Sequence, residues 1–117
     1  MTAIKACVLA VLLAACSKAQ QEAPPAEPPP AISEDEVKRG VDACADYTKR
    51  VCACKAPEHV EACKLAPAYS DAVDMARGVV FNPETRRKDA VQAAASIRNT
   101  VKKCVEEAAK LAAAGCP

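Results

Sequence analysis

Seven side chains in this chain of 117 residues stand out for their chemistry: Cys44, Cys52, Cys54, Cys63, Cys104 and Cys116, together with His59, the sole histidine. Cys52, Cys54, His59 and Cys63 fall within a span of 12 residues and offer three thiolates and one imidazole, donors that zinc and other thiophilic ions accept. His59 and Cys63 stand at helical spacing and share a face. The set lacks the C-x2-C pair of the common zinc spacings. Cys52-Ala53-Cys54 also invites thiol-disulfide exchange. That chemistry needs a thiolate of depressed pKa, which a helix start supplies and a helix end opposes, and this pair falls at a helix end. The third use of these residues is covalent: an even number of cysteines closing disulfides in an oxidising compartment. The destination of the chain decides among the three.

That destination is written at the N-terminus. Lys5 precedes an apolar run from Ala6 to Ala15, and Leu13-Ala14-Ala15-Cys16 stands immediately ahead of a polar, proline-rich stretch. The pattern resembles the lipobox of bacterial lipoproteins. The resemblance covers residues 1–16 and implies nothing about the later fold. It implies that residues 1–15 are a signal peptide cut before Cys16, whose thiol receives a diacylglycerol and whose new amino group is then acylated with palmitate-type chains. The small Ala14 and Ala15 suit a peptidase pocket that excludes bulk. An apolar run this short does not cross a hydrocarbon core, which takes about 20 helical residues. Each buried methylene contributes about 0.8 kcal/mol, so two or three acyl chains hold the protein to the membrane of the cell envelope permanently. In this family an aspartate after the acylated cysteine favours the inner membrane. Ser17 stands there instead, which implies the outer membrane.

With Cys7 leaving in the signal peptide and Cys16 acylated, six cysteines remain, and three disulfides are the expected state in an exported chain. Residues 16–33 are then the lipidated cysteine and a spacer. Pro24, Pro25, Pro28, Pro29 and Pro30 remove backbone donors and leave no apolar period, so the segment is read as polyproline-like and able to hold a domain up to roughly 50 Å from the bilayer. Residues 34–117 are the candidate folded domain. Its aromatic side chains are few, one Phe, two Tyr and no Trp, and alanine dominates its apolar content. Such a core buries little area per residue, so crosslinks are expected to supply stability.

The elements that must position the cysteines read as helices. Ser33 followed by Glu34, Asp35 and Glu36 has the form of a capping box with acidic residues at the positive helix end. Val37, Val41, Cys44, Thr48 and Val51 form one stripe of a helix ending near Cys52. A middle helix starts near Pro57, is interrupted around Pro67 and resumes through Tyr69, Val73 and Ala76 to Gly78. Asn82-Pro83-Glu84 reads as an N-cap, a first-turn proline and an acidic residue opening the longest helix. Its seam is Ala90, Ala94, Ile97, Val101, Cys104, Ala108 and Leu111, and Gly115 is the terminator. No stretch alternates with period two. The expected fold is all-α: a small, disulfide-braced three-helix bundle, up-down-up, with a broken middle helix.

In such a bundle the first and third helices are parallel, and Cys44 and Cys104 share the apolar seams. Cys52 and Cys116 lie 8 and 12 residues beyond them, displacements on the order of 12–18 Å that place them at similar heights. The preferred pairing is Cys44–Cys104, Cys52–Cys116 and Cys54–Cys63. Exchanging Cys52 and Cys54 between their partners is equally compatible with height.

Other chemistry is scarce. A single histidine, three glycines and no G-x-S-x-G or phosphate-loop motif argue against a hydrolase or nucleotide enzyme. The absence of C-x-x-C-H removes a c-type haem. Arg86-Arg87-Lys88 and Lys102-Lys103 read as a solvated helix face, or else a contact for an anionic envelope component. Loss of Lys5 from 16 basic residues leaves a balance with 15 acidic ones, which does not suit a nucleic-acid binder. The expected function is a non-enzymatic envelope lipoprotein that binds or braces another envelope protein or the cell-wall polymer, with no cofactor beyond the lipid on Cys16. The alternative is a thiol-redox or metal-handling module using Cys52, Cys54, His59 and Cys63.

Overall fold

The computed structural model of the protein describes residues 23–116. Cys7, the Leu13-Ala14-Ala15-Cys16 motif and Ser17 lie outside the described residues. Four α-helices follow the proline-rich segment: α1 (Glu34–Ala53), α2 (Val60–Leu65), α3 (Pro67–Val80) and α4 (Arg87–Ala113), with a 3-10 turn at Pro57–His59. Among the described residues there is no strand. The short α2 and the longer α3 together form a bent middle helix, so the architecture is the expected three-helix bundle.

Local chemistry accounts for most of the helix boundaries. Ser33 caps α1, its Oγ accepting from the Glu36 backbone N–H at 3.1 Å. Glu36 does not complete the reciprocal half of a capping box; its carboxylate turns to Arg98 of α4 at 2.7 Å. Pro67 lacks the N–H that would continue the hydrogen-bond ladder and stands at the first position of α3, which turns the chain between α2 and α3. The α3 helix runs two residues past Gly78 and ends at Val80.

The opening of α4 differs from the sequence expectation. Asn82 Oδ1 accepts from the Glu84 N–H at 2.9 Å and the Asn82 carbonyl from the Thr85 N–H at 3.0 Å, so Asn82-Pro83-Glu84-Thr85 closes a turn of its own. The helix begins four residues after Pro83, at Arg87, where the Asp89 carboxylate meets Arg86 at 2.8 Å. Asparagine satisfied the backbone two residues on and so nucleated a turn in place of a helix. At the other end Gly115 adopts φ +78°, a left-handed conformation open to glycine at little cost. Its N–H reaches the Ala112 carbonyl at 3.2 Å and the Cys116 N–H reaches Leu111 at 3.0 Å, the two bonds of a Schellman termination.

The direction of the helices follows from their contacts. Glu36 meets Arg98, Cys44 is joined to Cys104 and Cys54 to Cys116, at sequence separations of 62, 60 and 62. A near-constant offset means that α1 and α4 run parallel in register. Between them α3 packs on both helices and runs the other way: Tyr69 at its start meets Tyr47, whereas Asp74 and Arg77 lie beside Val37 and Val41. The Tyr47 and Tyr69 rings meet edge to face with centroids 5.9 Å apart, an arrangement worth about 0.5–1.5 kcal/mol beyond area burial.

The core contains Ile32, Val37, Cys44, Tyr47, Val51, Ala66, Val73, Val80, Ala94, Ile97, Cys104, Ala108 and Leu111. The α4 seam is the one read from the sequence, with Val101 half-buried at its edge. On α1 the buried stripe is Val37, Gly40, Cys44, Tyr47 and Val51, with Val41 and Thr48 half-buried beside it. Gly40 takes the inner place because α4 comes too close for anything larger: a Cβ there would lie 2.5 Å from Val101 Cγ2. The end of the proline-rich segment also packs onto the bundle. Ile32 is buried, Arg87 donates to the Pro29 carbonyl at 2.7 Å and Arg98 to that of Ala31 at 3.3 Å.

Candidate functional site

Five of the seven chemistry-bearing residues, Cys52, Cys54, His59, Cys63 and Cys116, gather at the pole formed by the C-terminal ends of α1 and α4, the 3-10 turn and α2. All six cysteines of the described residues are paired: Cys44–Cys104, Cys52–Cys63 and Cys54–Cys116. The central bridge has both cysteines fully buried between α1 and α4. The other two lie at the pole and are partly open to solvent.

The expected pairs Cys52–Cys116 and Cys54–Cys63 are corrected: the two cysteines of Cys52-Ala53-Cys54 exchange partners. Cys52 lies within α1, and Cys54 is its C-cap, with extended backbone and an N–H held by the Arg50 carbonyl at 3.1 Å. At about 100° per helical residue they stand roughly 80° to either side of the Cys44 seam that faces α4. The middle helix lies on the side that takes Cys52, and the end of α4 lies on the side that takes Cys54. Height along the bundle did not separate them; azimuth did.

This arrangement also redistributes the proposed ligand set of Cys52, Cys54, His59 and Cys63. The Cys52–Cys63 bridge ties the end of α1 to α2, whereas His59 falls beside the other bridge. The ligand atoms of Cys54, His59 and Cys116 all lie within 4.8 Å of one another, the group of this kind among the described residues. Cys116 was the member that spacing within the 12-residue cluster did not reveal. Its signal was Gly115: a left-handed glycine after α4 folds the next residue back across the helix end, toward the terminus of its parallel neighbour. His59 is half-buried and sits at the last position of the 3-10 turn, its N–H bound to the Ala56 carbonyl at 3.0 Å.

Elsewhere, apart from Tyr47, no side chain with a polar or charged group is buried among the described residues. Burial raises the pKa of the Tyr47 hydroxyl, assisted by the nearby Glu107 carboxylate. Within the basic clusters Arg86 pairs with Asp89, Arg87 donates to the proline-rich segment and Lys102 pairs with Glu106 at 3.7 Å. Met75 and Val79 of α3 are exposed above a shallow apolar groove completed by Ala93 of α4. No helix among the described residues is long and apolar enough to cross a membrane. No protein family, no curated protein and no solved structure matches this chain.

Proposed function

We propose that this chain is a bacterial envelope lipoprotein, anchored through acylated Cys16, whose disulfide-braced bundle is a non-enzymatic binding or structural module. The observation that carries the reading is the pairing of all six cysteines in residues 34–117. Complete pairing is the state that an exported chain reaches in an oxidising compartment, and it accords with a leader resembling a lipobox. It also leaves each cysteine of the described residues engaged in bracing the helices, so the native protein offers its partner a rigid helical surface.

The proline-rich segment meets the bundle at Pro29 to Ile32, against the N-terminal ends of α1 and α4. Chain tethered there would carry the membrane anchor at one pole and present the cysteine pole away from it. The partner of this reading is another envelope protein or the cell-wall polymer, and the attachment favoured by Ser17 is to the outer membrane.

Fatty-acid labelling and detergent partitioning of wild type and Cys16→Ser test the anchor. The wild type should carry label and partition with detergent as a mature protein, and the variant should remain an unlabelled precursor that keeps its leader. A Cys16→Ser protein that still acquires label and partitions with detergent would overturn it. Cross-linking in the intact envelope should capture a discrete protein or polymer joined to the bundle; a chain that cross-links only to itself argues against the module.

A further inference from the structure

We propose that Cys54, Cys116 and His59 form a redox-gated site for monovalent copper, closed while the Cys54–Cys116 disulfide is intact and opened by a dithiol reductant. The site goes beyond the role assigned above and does not depend on the anchor. Three observations carry it.

The first is convergence. The two sulfurs and an imidazole nitrogen lie within 4.8 Å of one another. Around a metal ion with bonds of about 2.3 Å to sulfur and 2.0 Å to nitrogen, neighbouring donors stand roughly 3.5–4 Å apart, so the imidazole is already within reach and the sulfurs need only separate.

The second is support. Each ligand's backbone is held by a local hydrogen bond: Cys54 by Arg50 at 3.1 Å, His59 by Ala56 at 3.0 Å and Cys116 by Leu111 at 3.0 Å. A reductant that opens this bridge also reaches Cys52–Cys63, whose Cys52 is exposed, but the fully buried Cys44–Cys104 bridge still joins α1 to α4. The freed thiols therefore stay at the same pole beside the same imidazole, a site organised before the ion arrives.

The third is access and donor type. All three residues are partly exposed, unlike the buried Cys44–Cys104 bridge, so a reductant and an ion can reach them. The cluster supplies two soft sulfurs and one imidazole without a carboxylate. Soft thiolates select Cu(I) and Zn(II) over harder ions, and Cu(I) is satisfied by three donors where zinc takes four.

The chemistry balances in two steps. The dithiol gives two electrons and two protons to the Cys54–Cys116 bond; the S–S bond breaks, both sulfurs become thiols and the reductant closes its own disulfide. Cu(I) then displaces the two thiol protons to solvent and accepts the unprotonated nitrogen of His59, with no further electron transfer.

The test is Cu(I) titration of the full chain in detergent, carrying Cys7→Ser and Cys16→Ser so that no thiol outside the three bridges takes the ion, against a chromogenic Cu(I) chelator, before and after dithiol treatment. Variants are His59→Ala, Cys54→Ser with Cys116→Ser, and Cys52→Ser with Cys63→Ser. The expected result is one tightly held copper only after reduction and retained in the Cys52/Cys63 variant. It should be weakened on the order of 10–100-fold or more in His59→Ala, at least the loss that removing a mere outer-shell partner brings. X-ray absorption should show two sulfurs and one nitrogen. Should the Cys54/Cys116 variant fail to fold, His59→Ala still decides, since it leaves every disulfide in place. Equal affinity in His59→Ala, copper uptake without reduction, or no uptake after it overturns the proposal.

Discussion

Gly40 and Gly78 both sit inside helices, yet the same substitution should act on them in opposite directions. Alanine is favoured over glycine in a helix interior by about 0.8–1 kcal/mol. At Gly78 nothing lies within 4 Å of the added Cβ, so Gly78→Ala should stabilise the protein by roughly 0.5–1 kcal/mol. At Gly40 the new atom would fall 2.5 Å from Val101 Cγ2, and the β-branched valine has little freedom to turn aside. Overpacking of that kind costs about 1–3 kcal/mol, which exceeds the helix gain. Gly40→Ala should therefore lower the melting temperature, and adding Val101→Ala should recover part of the loss. Thermal unfolding of wild type, Gly78→Ala, Gly40→Ala, Val101→Ala and the Gly40→Ala/Val101→Ala double variant checks both signs; additive behaviour of Gly40→Ala and Val101→Ala would exclude the close approach. Neither sign was legible in the chain, where Gly40 reads as a weakness in a helical stripe. Its purpose depends on a residue 61 positions away.

The helices were the most legible level because their signals are local. Ser33, the acidic first turn of α1, Pro67 and Gly115 each act on backbone groups within about five residues, and each does in the structure what its type implies. Asn82 is the exception for the same reason: an asparagine before proline can cap a helix or close a turn, and both satisfy the same orphan N–H groups. Which contacts join the helices is a different matter, and the Glu36–Arg98 pair makes it measurable. The hydrogen bonds from Arg98 hold the Glu36 carboxyl below its ordinary value of 4.5, with Coulombic help from Arg98 and Arg39. A carboxyl whose folded pKa is depressed contributes stability that is present above its unfolded pKa and lost as the pH falls through the folded value. Relative to Arg98→Met, wild type should therefore be more stable at neutral pH, and the difference should shrink as the pH drops below about 4.5. Melting curves of the two proteins across the acid range check this; a pH-independent difference would assign the effect of Arg98 to packing or to its bond with Ala31 alone.

For the whole molecule, the question is what holds together a bundle with so few large side chains. Chain-entropy closure is worth about 3–4 kcal/mol for each of the three bridges, because either long crosslink leaves the other already closing most of the same span. Burial then ranks them. Removing both sulfurs of Cys44–Cys104 leaves space in the core, whereas Cys52–Cys63 lies at the surface. Cys44→Ala with Cys104→Ala should lower the melting temperature more than Cys52→Ala with Cys63→Ala, as followed by circular dichroism under non-reducing conditions. Equal losses would mean that the central bridge is no more than a loop constraint. The three-helix plan, the seam of α4 and the parallel placement of Cys44 with Cys104 were determined by the sequence alone, since hydrophobic period and helical rise are properties of the chain itself; on α1, Gly40 and Tyr47 took the buried places that the sequence stripe had given to Val41 and Thr48. The partners of Cys52 and Cys54, and the gathering of His59 with Cys54 and Cys116, were decided only by the tertiary structure. Two residues on a helix stand nearly symmetrically about the seam between them, so spacing and height treat them alike. Only the side on which the middle helix packs makes them different.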